Sequence, residues 1–237
     1  MRLPQSPLAL VFVLLLGLYG CRPAEIALMY CDAQVGAPSV EVSGRMEPAV
    51  LFNDKSRAQI EADLAYAGKP VGPGQARGTT TAAYTQQIEL SAEKLVRGPG
   101  FVCTQPRVSL ALSVPGPRID IARELAPGTC RYQSTLEHEL QHVAAYEQHL
   151  ERSRQALTRA ILARFATGYY FAQDTQALEQ QFETDVQSWL APLISAQLAR
   201  GQTAQRAIDS PAEYRRLTAA CPPDERLLPH GAGASPP

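Results

Sequence analysis

Residues 134–142 read Ser134-Thr135-Leu136-Glu137-His138-Glu139-Leu140-Gln141-His142, and the reading of the fold starts there. Ser134 followed three residues on by Glu137 predicts a capping box, with the Ser hydroxyl accepting from the first turn and the Glu reaching back. No Pro or Gly interrupts the chain from there to Gly168. Leu136, Leu140, Val143, Leu150, Leu157, Ile161 and Phe165 recur at the helical period, which predicts a helix of about 30 residues with one apolar stripe. Gly168 to Phe171 reads as a turn. Asp174 can cap a second long helix running through Leu178, Phe182, Trp189 and Leu193 to about Leu198. Ser210-Pro211 predicts a short third helix, with Ser at the cap and Pro in the first turn.

Upstream of the motif the period changes to two. Val40-Glu41-Val42-Ser43-Gly44 alternates and ends at a Gly, and Val108 to Val114 alternates cleanly, so both read as strands. Thr79 to Leu90 reads as a strand or hairpin, Phe101 to Cys103 and Arg118 to Ile121 as strands, and Gly98-Pro99-Gly100 as a turn. Ser56 to Ala67 is helix-compatible, and Lys69 to Gly78 is a Gly- and Pro-rich loop. The fold class expected is therefore α+β. A small, mostly antiparallel sheet in the N-terminal half precedes a long two-helix hairpin that carries the motif. Residues 40–221 form one domain, strand-rich over 40–130 and helical over 134–221. Residues 222–237 are Pro- and Gly-rich and read as a disordered tail.

The first residues belong to export rather than to the fold. Arg2 precedes an apolar run from Leu8 to Leu18, too short for a membrane span and suited to a signal peptide over residues 1–20. The run ends in Leu18-Tyr19-Gly20-Cys21, which resembles a bacterial lipobox with Cys21 as the lipidated residue and residues 21–39 as a tether. Lipid at Cys21 would anchor the chain to a membrane without spanning it. Arg22, where Asp would otherwise stand, implies by resemblance to Gram-negative lipoproteins an outer-membrane protein facing the periplasm. Ordinary cleavage to a soluble secreted protein is the alternative. Cys31, Cys103, Cys130 and Cys221 remain, and four cysteines in an exported chain allow two disulfides in three connectivities. The 237-residue chain carries 22 Lys+Arg against 23 Asp+Glu, so it has no basic field to attract nucleic acid.

His138 and His142 stand one helical turn apart on one face, and their imidazoles can converge on one ion. Glu139 lies beside them, placed to take the proton from an attacking water and to deliver it to a leaving amine. This His-Glu-x-x-His spacing is that of zinc peptidases. Zn2+ is the expected cofactor, Glu139 the expected catalytic residue, and a peptide or protein the expected substrate. Glu183 on the following helix is the expected third ligand, with Asp120 from the sheet half as a competitor. His149 shares the stripe but lies about 10 Å of rise beyond His142, too far to share the ion. Tyr132 and Tyr146 flank the motif as possible oxyanion donors, although packing is the commoner role for such residues.

These features together resemble the bacterial predicted secreted zinc-dependent protease family, a domain of unknown function. They are the early Val42-Ser43-Gly44 strand, Gly78-Thr79, Cys103 before the alternating strand Val108 to Pro115, and His138-Glu139-x-x-His142. The resemblance covers roughly residues 40–157 and implies fold and compartment more than activity. The chain lacks the family's Trp residues around the middle strands, and Gln141 stands where a small residue is usual. The competing expectation is a non-catalytic lipoprotein binding or assembly module with a structural or vestigial metal. A di-metal carboxylate site would need a second Glu-x-x-His, and none is present.

Overall fold

The computed structural model describes residues 23–222, apart from residues 70, 72–74 and 167. The expected signal peptide, the lipidation position Cys21 and nearly all of the expected tail lie outside the described residues. The chain is α+β as expected: strands dominate the first half and long helices the second.

Strand β7 (Pro106–Val114) organises the main sheet. Its period-two pattern puts Val108, Leu110, Leu112 and Val114 on one face, each no more than 1% exposed. On one side it pairs parallel with β1 (Ser39–Met46), and on the other antiparallel with β4 (Thr85–Ala92). A second sheet has the order β2 (Val50–Phe52), β8 (Arg118–Ile121), β3 (Gly78–Thr81). A third joins β5 (Val96–Gly98), β6 (Phe101–Thr104) and β9 (Tyr170–Ala172). Most pairings are antiparallel, while β1 with β7 and β2 with β8 run parallel. The Thr-rich stretch thus forms two strands that belong to different sheets, not a hairpin.

Helix α1 spans Pro23–Gln34 and helix α2 Arg57–Tyr66. Ser56 and Gln59 form a capping box at the start of α2. The segment expected as a tether over residues 21–39 contains α1 and the start of β1. Ala27, Cys31 and Val35, four apart, are buried, Cys31 and Val35 pack with Val96 and Cys103 of the third sheet, and Cys31 is bonded to Cys103 in β6.

Helix α3 (Cys130–Phe165) is 36 residues long and carries the motif. It begins five residues earlier than the Ser134 capping box suggested. Gly128 at φ 86° breaks the chain, Thr129 caps the helix by accepting from the Tyr132 amide, and Cys130 is tied to Cys221. Ser134 therefore sits inside the helix, its hydroxyl donating to the Arg131 carbonyl. Leu150, Leu157 and Ile161 pack on the β7 face to close the main core, each burial worth roughly 1.5–3 kcal/mol.

The return limb is longer than the pattern of apolar residues indicated. Helix α4 (Thr175–Asp185), capped by Asp174, runs through one π-helical segment (Val186–Leu190) into α5 (Ala191–Ile208). Arg200-Gly201 does not end the helix. Ser210 then caps α6 (Pro211–Ala219), as expected, by accepting from the Glu213 amide.

Candidate metal centre

Helix α5 lies antiparallel along α3, and the register decides which side chains meet. His149 faces Gln197, with Nε2 3.1 Å from its carbonyl oxygen. Each step back along α3 is then matched by a step of nearly equal size along α5. His142 meets Gln205, with Nδ1 2.6 Å from Oε1, and His138 meets Asp209. Asp209 is the residue that ends α5, in the two-residue joint before α6.

Three donor atoms converge at that joint. His138 Nε2 lies 3.3 Å and His142 Nε2 3.2 Å from Asp209 Oδ1. One ligand atom from each of the three residues falls within 4.8 Å of the other two. The neighbours of the imidazoles show which nitrogens are free to bind. Gln205 donates its amide to the His142 carbonyl at 3.2 Å, so its Oε1 must be the atom facing His142 Nδ1, which donates to it. Glu213 Oε1 lies 3.3 Å from His138 Nδ1 and, as a carboxylate, can only accept. Both Nδ1 atoms thus carry their protons outward, and both Nε2 atoms face the Asp209 carboxylate. Protons on Nε2 or a shared metal ion would satisfy that arrangement.

A metal ion fits that place. Ligands held tetrahedrally at about 2.0–2.1 Å, the length of a zinc–imidazole bond, stand roughly 3.3 Å from one another. The two His–Asp209 separations, 3.2 and 3.3 Å, match that edge. The outward Nδ1–H bonds to Gln205 and Glu213 are the type of support that ligating histidines usually have. Burial lowers the basicity of both histidines, but the hydrogen bonds they can donate to Asp209 outweigh it, and both pKa values rise above the ordinary one. A metal ion bound there would displace those protons. Asp209 is itself partly desolvated, yet the two imidazoles hold its carboxyl well below the usual carboxylate range.

Glu139 sits on the neighbouring face of α3, 4% exposed. Burial pushes its pKa up, opposed by the nearby His142 and His138. The Thr80 hydroxyl, from strand β3, lies 2.9 Å from Glu139 Oε2 and 3.1 Å from its carbonyl oxygen. Gly78 makes this contact possible. A Cβ there would fall 2.8 Å from Thr135 Cγ2 and 2.9 Å from Glu139 Oε1, so β3 could not approach α3.

The structure therefore brings together His138, Glu139 and His142 and adds Asp209, Gln205 and Glu213. Glu183 is not among them. It is exposed on α4, accepting from Gln187 Nε2 at 3.1 Å. Arg164 and Asp185, 3.9 Å apart, mark that end of the hairpin. At 1.5 Å per residue, that is roughly 30 Å of helix from His142. Asp120 is spent elsewhere, between Arg118 at 2.7 Å and Lys55 at 3.1 Å. His149 is buried, sharing its Nε2–H between Gln197 and Ser153. Tyr132 packs in the second core with Ile119 and Ile121, and Tyr146 rests on Tyr84 with its hydroxyl on the Ala82 carbonyl. The tyrosine beside the donors is Tyr214, whose hydroxyl lies 3.4 Å from Asp209 Oδ1.

No family model, curated protein or solved structure matches this chain.

The four remaining cysteines pair as Cys31–Cys103 and Cys130–Cys221, one of the three connectivities left open by sequence. Two disulfides suit an oxidising compartment. No described helix is long and apolar enough to cross a membrane.

Proposed function

We propose that the protein is a zinc-dependent peptide hydrolase, kin to the secreted family its motifs resemble. In this reading it is lipid-anchored at Cys21 in the outer membrane and faces the periplasm. The observation that carries the hydrolase reading is the convergence of His138 Nε2, His142 Nε2 and Asp209 Oδ1, with the buried carboxylate of Glu139 on the adjoining residue. His138, His142 and Asp209 would hold the ion, leaving a fourth tetrahedral position open. Bound there, zinc would supply Lewis acidity toward water and toward the scissile carbonyl.

The chain's own residues account for the rest. Glu139 takes the proton of the attacking water and passes it to the leaving amine, and burial raises its pKa toward the range such a base and acid requires. Thr80 holds that carboxylate in place. Gln205 and Glu213 fix the ring planes of the two histidines. The Tyr214 hydroxyl is positioned to donate to an oxygen that gains charge beside Asp209.

The test is zinc content by elemental analysis, followed by peptide hydrolysis with wild type and Glu139→Gln. Stoichiometric zinc in both proteins, with hydrolysis reduced about 10²-fold or more in the variant, supports the proposal. Equal hydrolysis in both would remove Glu139 from the chemistry. Zinc binding with no hydrolysis by wild type would favour a metal-stabilised binding lipoprotein.

A further inference from the structure

Helix α6 is fastened to the body at few points, and those points adjoin the metal centre. Of its nine residues only Leu217 is buried. A helix that short is marginal by itself in water, so its attachments must hold it. Glu213 reaches the Nδ1 side of His138 and is gripped in turn by Arg216 at 2.6 and 2.7 Å. The Tyr214 ring stands 6.2 Å from that of His138. Asp209, a donor of the centre, lies at the joint just before the helix. Two residues past its other end, Cys221 is bonded to Cys130, the first residue of α3. Helix α6 is thus a strap across the centre, joined to α5 at one end and pinned by a disulfide at the other.

The two disulfides are not equally open to reduction. Cys31 and Cys103 are both 0% exposed and pack with Val35 and Val96. Cys130 is partly exposed, and Cys221 is 8% exposed. A thiolate on Cys130 would also face the positive end of a 36-residue helix, which favours the reduced form. A small thiol therefore opens Cys130–Cys221 first. Its thiolate bonds to Cys130 Sγ as the Sγ–Sγ bond breaks, and Cys221 leaves as thiolate. A second thiol then frees Cys130 from the mixed disulfide. Two small thiols become one disulfide, and the protein takes up their two electrons.

We infer that the Cys130–Cys221 bond is a redox lock on the metal centre. Closed, it keeps α6 in place with Glu213 against His138, and the centre binds its ion tightly. Opened by a thiol, it releases the strap, and the centre loosens. The inference rests on the metal reading of His138, His142 and Asp209 and is independent of hydrolysis. Losing the outer partner of a ligating histidine lowers metal affinity about 10–100-fold. The coupling is mutual, so a bound ion resists opening of the bond by the same factor. Each tenfold is about 30 mV for a two-electron couple, so zinc should make the reduction potential of this bond about 30–60 mV more negative.

The experiment uses the full chain, isolated oxidised, and measures zinc affinity by competition with a chromophoric chelator. Cys130→Ser/Cys221→Ser, with its remaining disulfide confirmed by mass spectrometry and its helix content by circular dichroism, is expected to bind zinc about 10–100-fold more weakly than wild type. Cys31→Ser/Cys103→Ser is the control. It opens a loop of comparable span, 72 residues against 91, in a part of the fold that gives the centre no donor, and it is expected to bind as wild type does. A second measurement needs no variant and serves even if the first one does not fold. The wild-type Cys130–Cys221 bond is equilibrated in glutathione buffers with free zinc fixed or removed, freed thiols are alkylated, and the potential is expected to shift by the amount above. Equal zinc affinity with and without the bond, an unmoved potential, or equal weakening in both double variants overturns the inference and leaves the metal reading standing. Oxidised wild type that takes up no zinc overturns both.

Discussion

His149 and Gly201 meet where α5 crosses α3, so closely that a Cβ on Gly201 would lie 2.7 Å from His149 Cδ2 and 3.0 Å from the Tyr84 hydroxyl. The missing side chain sets the approach of the two helices, and through it the register that carries Gln205 to His142 and Asp209 to His138. Gly201→Ala should gain about 1 kcal/mol of helix propensity and lose about 1–3 kcal/mol to overpacking. The expected net result in urea unfolding is destabilisation with weaker metal binding. A stabilised variant would show that the crossing has slack.

Asp209→Ala should weaken zinc binding far more than Glu183→Ala, which should leave it unchanged. Removing one of three ligands costs the site a charged donor, whereas the exposed Glu183 carboxylate accepts from Gln187, far along the hairpin. Competition titration against a chromophoric chelator measures both. The reverse order would place the third ligand on α4.

Gln205→Ala and Glu213→Ala leave every proposed ligand in place but remove the acceptor on the Nδ1 side of one imidazole each. Each variant should lower metal affinity about 10–100-fold. Equal affinity in wild type and both variants would mean that packing alone orients the rings.

His149 gives the fold a pH dependence of known sign. Burial lowers its pKa, with the positive charges of Arg152 and Arg200 acting in the same direction. The folded state therefore favours neutral imidazole, while the unfolded chain takes up its proton near pH 6.5. The stability contributed by this depressed group is present above about pH 6.5 and is lost as pH falls through the folded value. The drop in melting temperature between pH 7.5 and 5 should be smaller in His149→Gln than in wild type. Identical drops would place the acid sensitivity elsewhere.

Cys130 starts α3 and Cys221 follows α6, so their bond holds the two ends of the site together across 91 residues of sequence. Cys130→Ser/Cys221→Ser should lose roughly 4–5 kcal/mol on chain-entropy grounds. The loss is read by denaturant unfolding under oxidising conditions, against wild type with and without reductant. Wild type in reductant should fall below the variant, because the Cys31–Cys103 bond, which the variant keeps, opens as well.

What could be read from sequence was whatever repeats locally. The alternation of Val108 to Val114, the stripe of Leu150, Leu157, Ile161 and Phe165 and the caps at Asp174 and Ser210 each depend on near neighbours, although Leu140, read as part of the same stripe, is exposed. The pair His138 and His142 was legible for the same reason, because one turn of helix places both rings. Asp209 was not. Its role depends on the register of a hairpin some seventy residues long, and the apolar positions of the second helix run out near Leu198. In the folded hairpin Gly201 lies inside the helix, where its lack of a side chain lets it pack against His149. Helix α1 was hidden likewise. Its buried line of Ala27, Cys31 and Val35 has too few large apolar residues to announce a helix, and it is the bond to Cys103 that secures it.

The Cys130–Cys221 bond also turns the back half of the chain into a closed ring. His138, Glu139, His142, Gln205, Asp209 and Glu213 all lie on its circumference. One cut in a surface turn of that ring, by the protein itself or by a neighbour, opens the circle without releasing either piece. The severed halves stay joined through sulfur, and the donors remain beside one another. A nicked molecule should run as a single band until reductant is added and as two afterwards, retaining its metal in the interval.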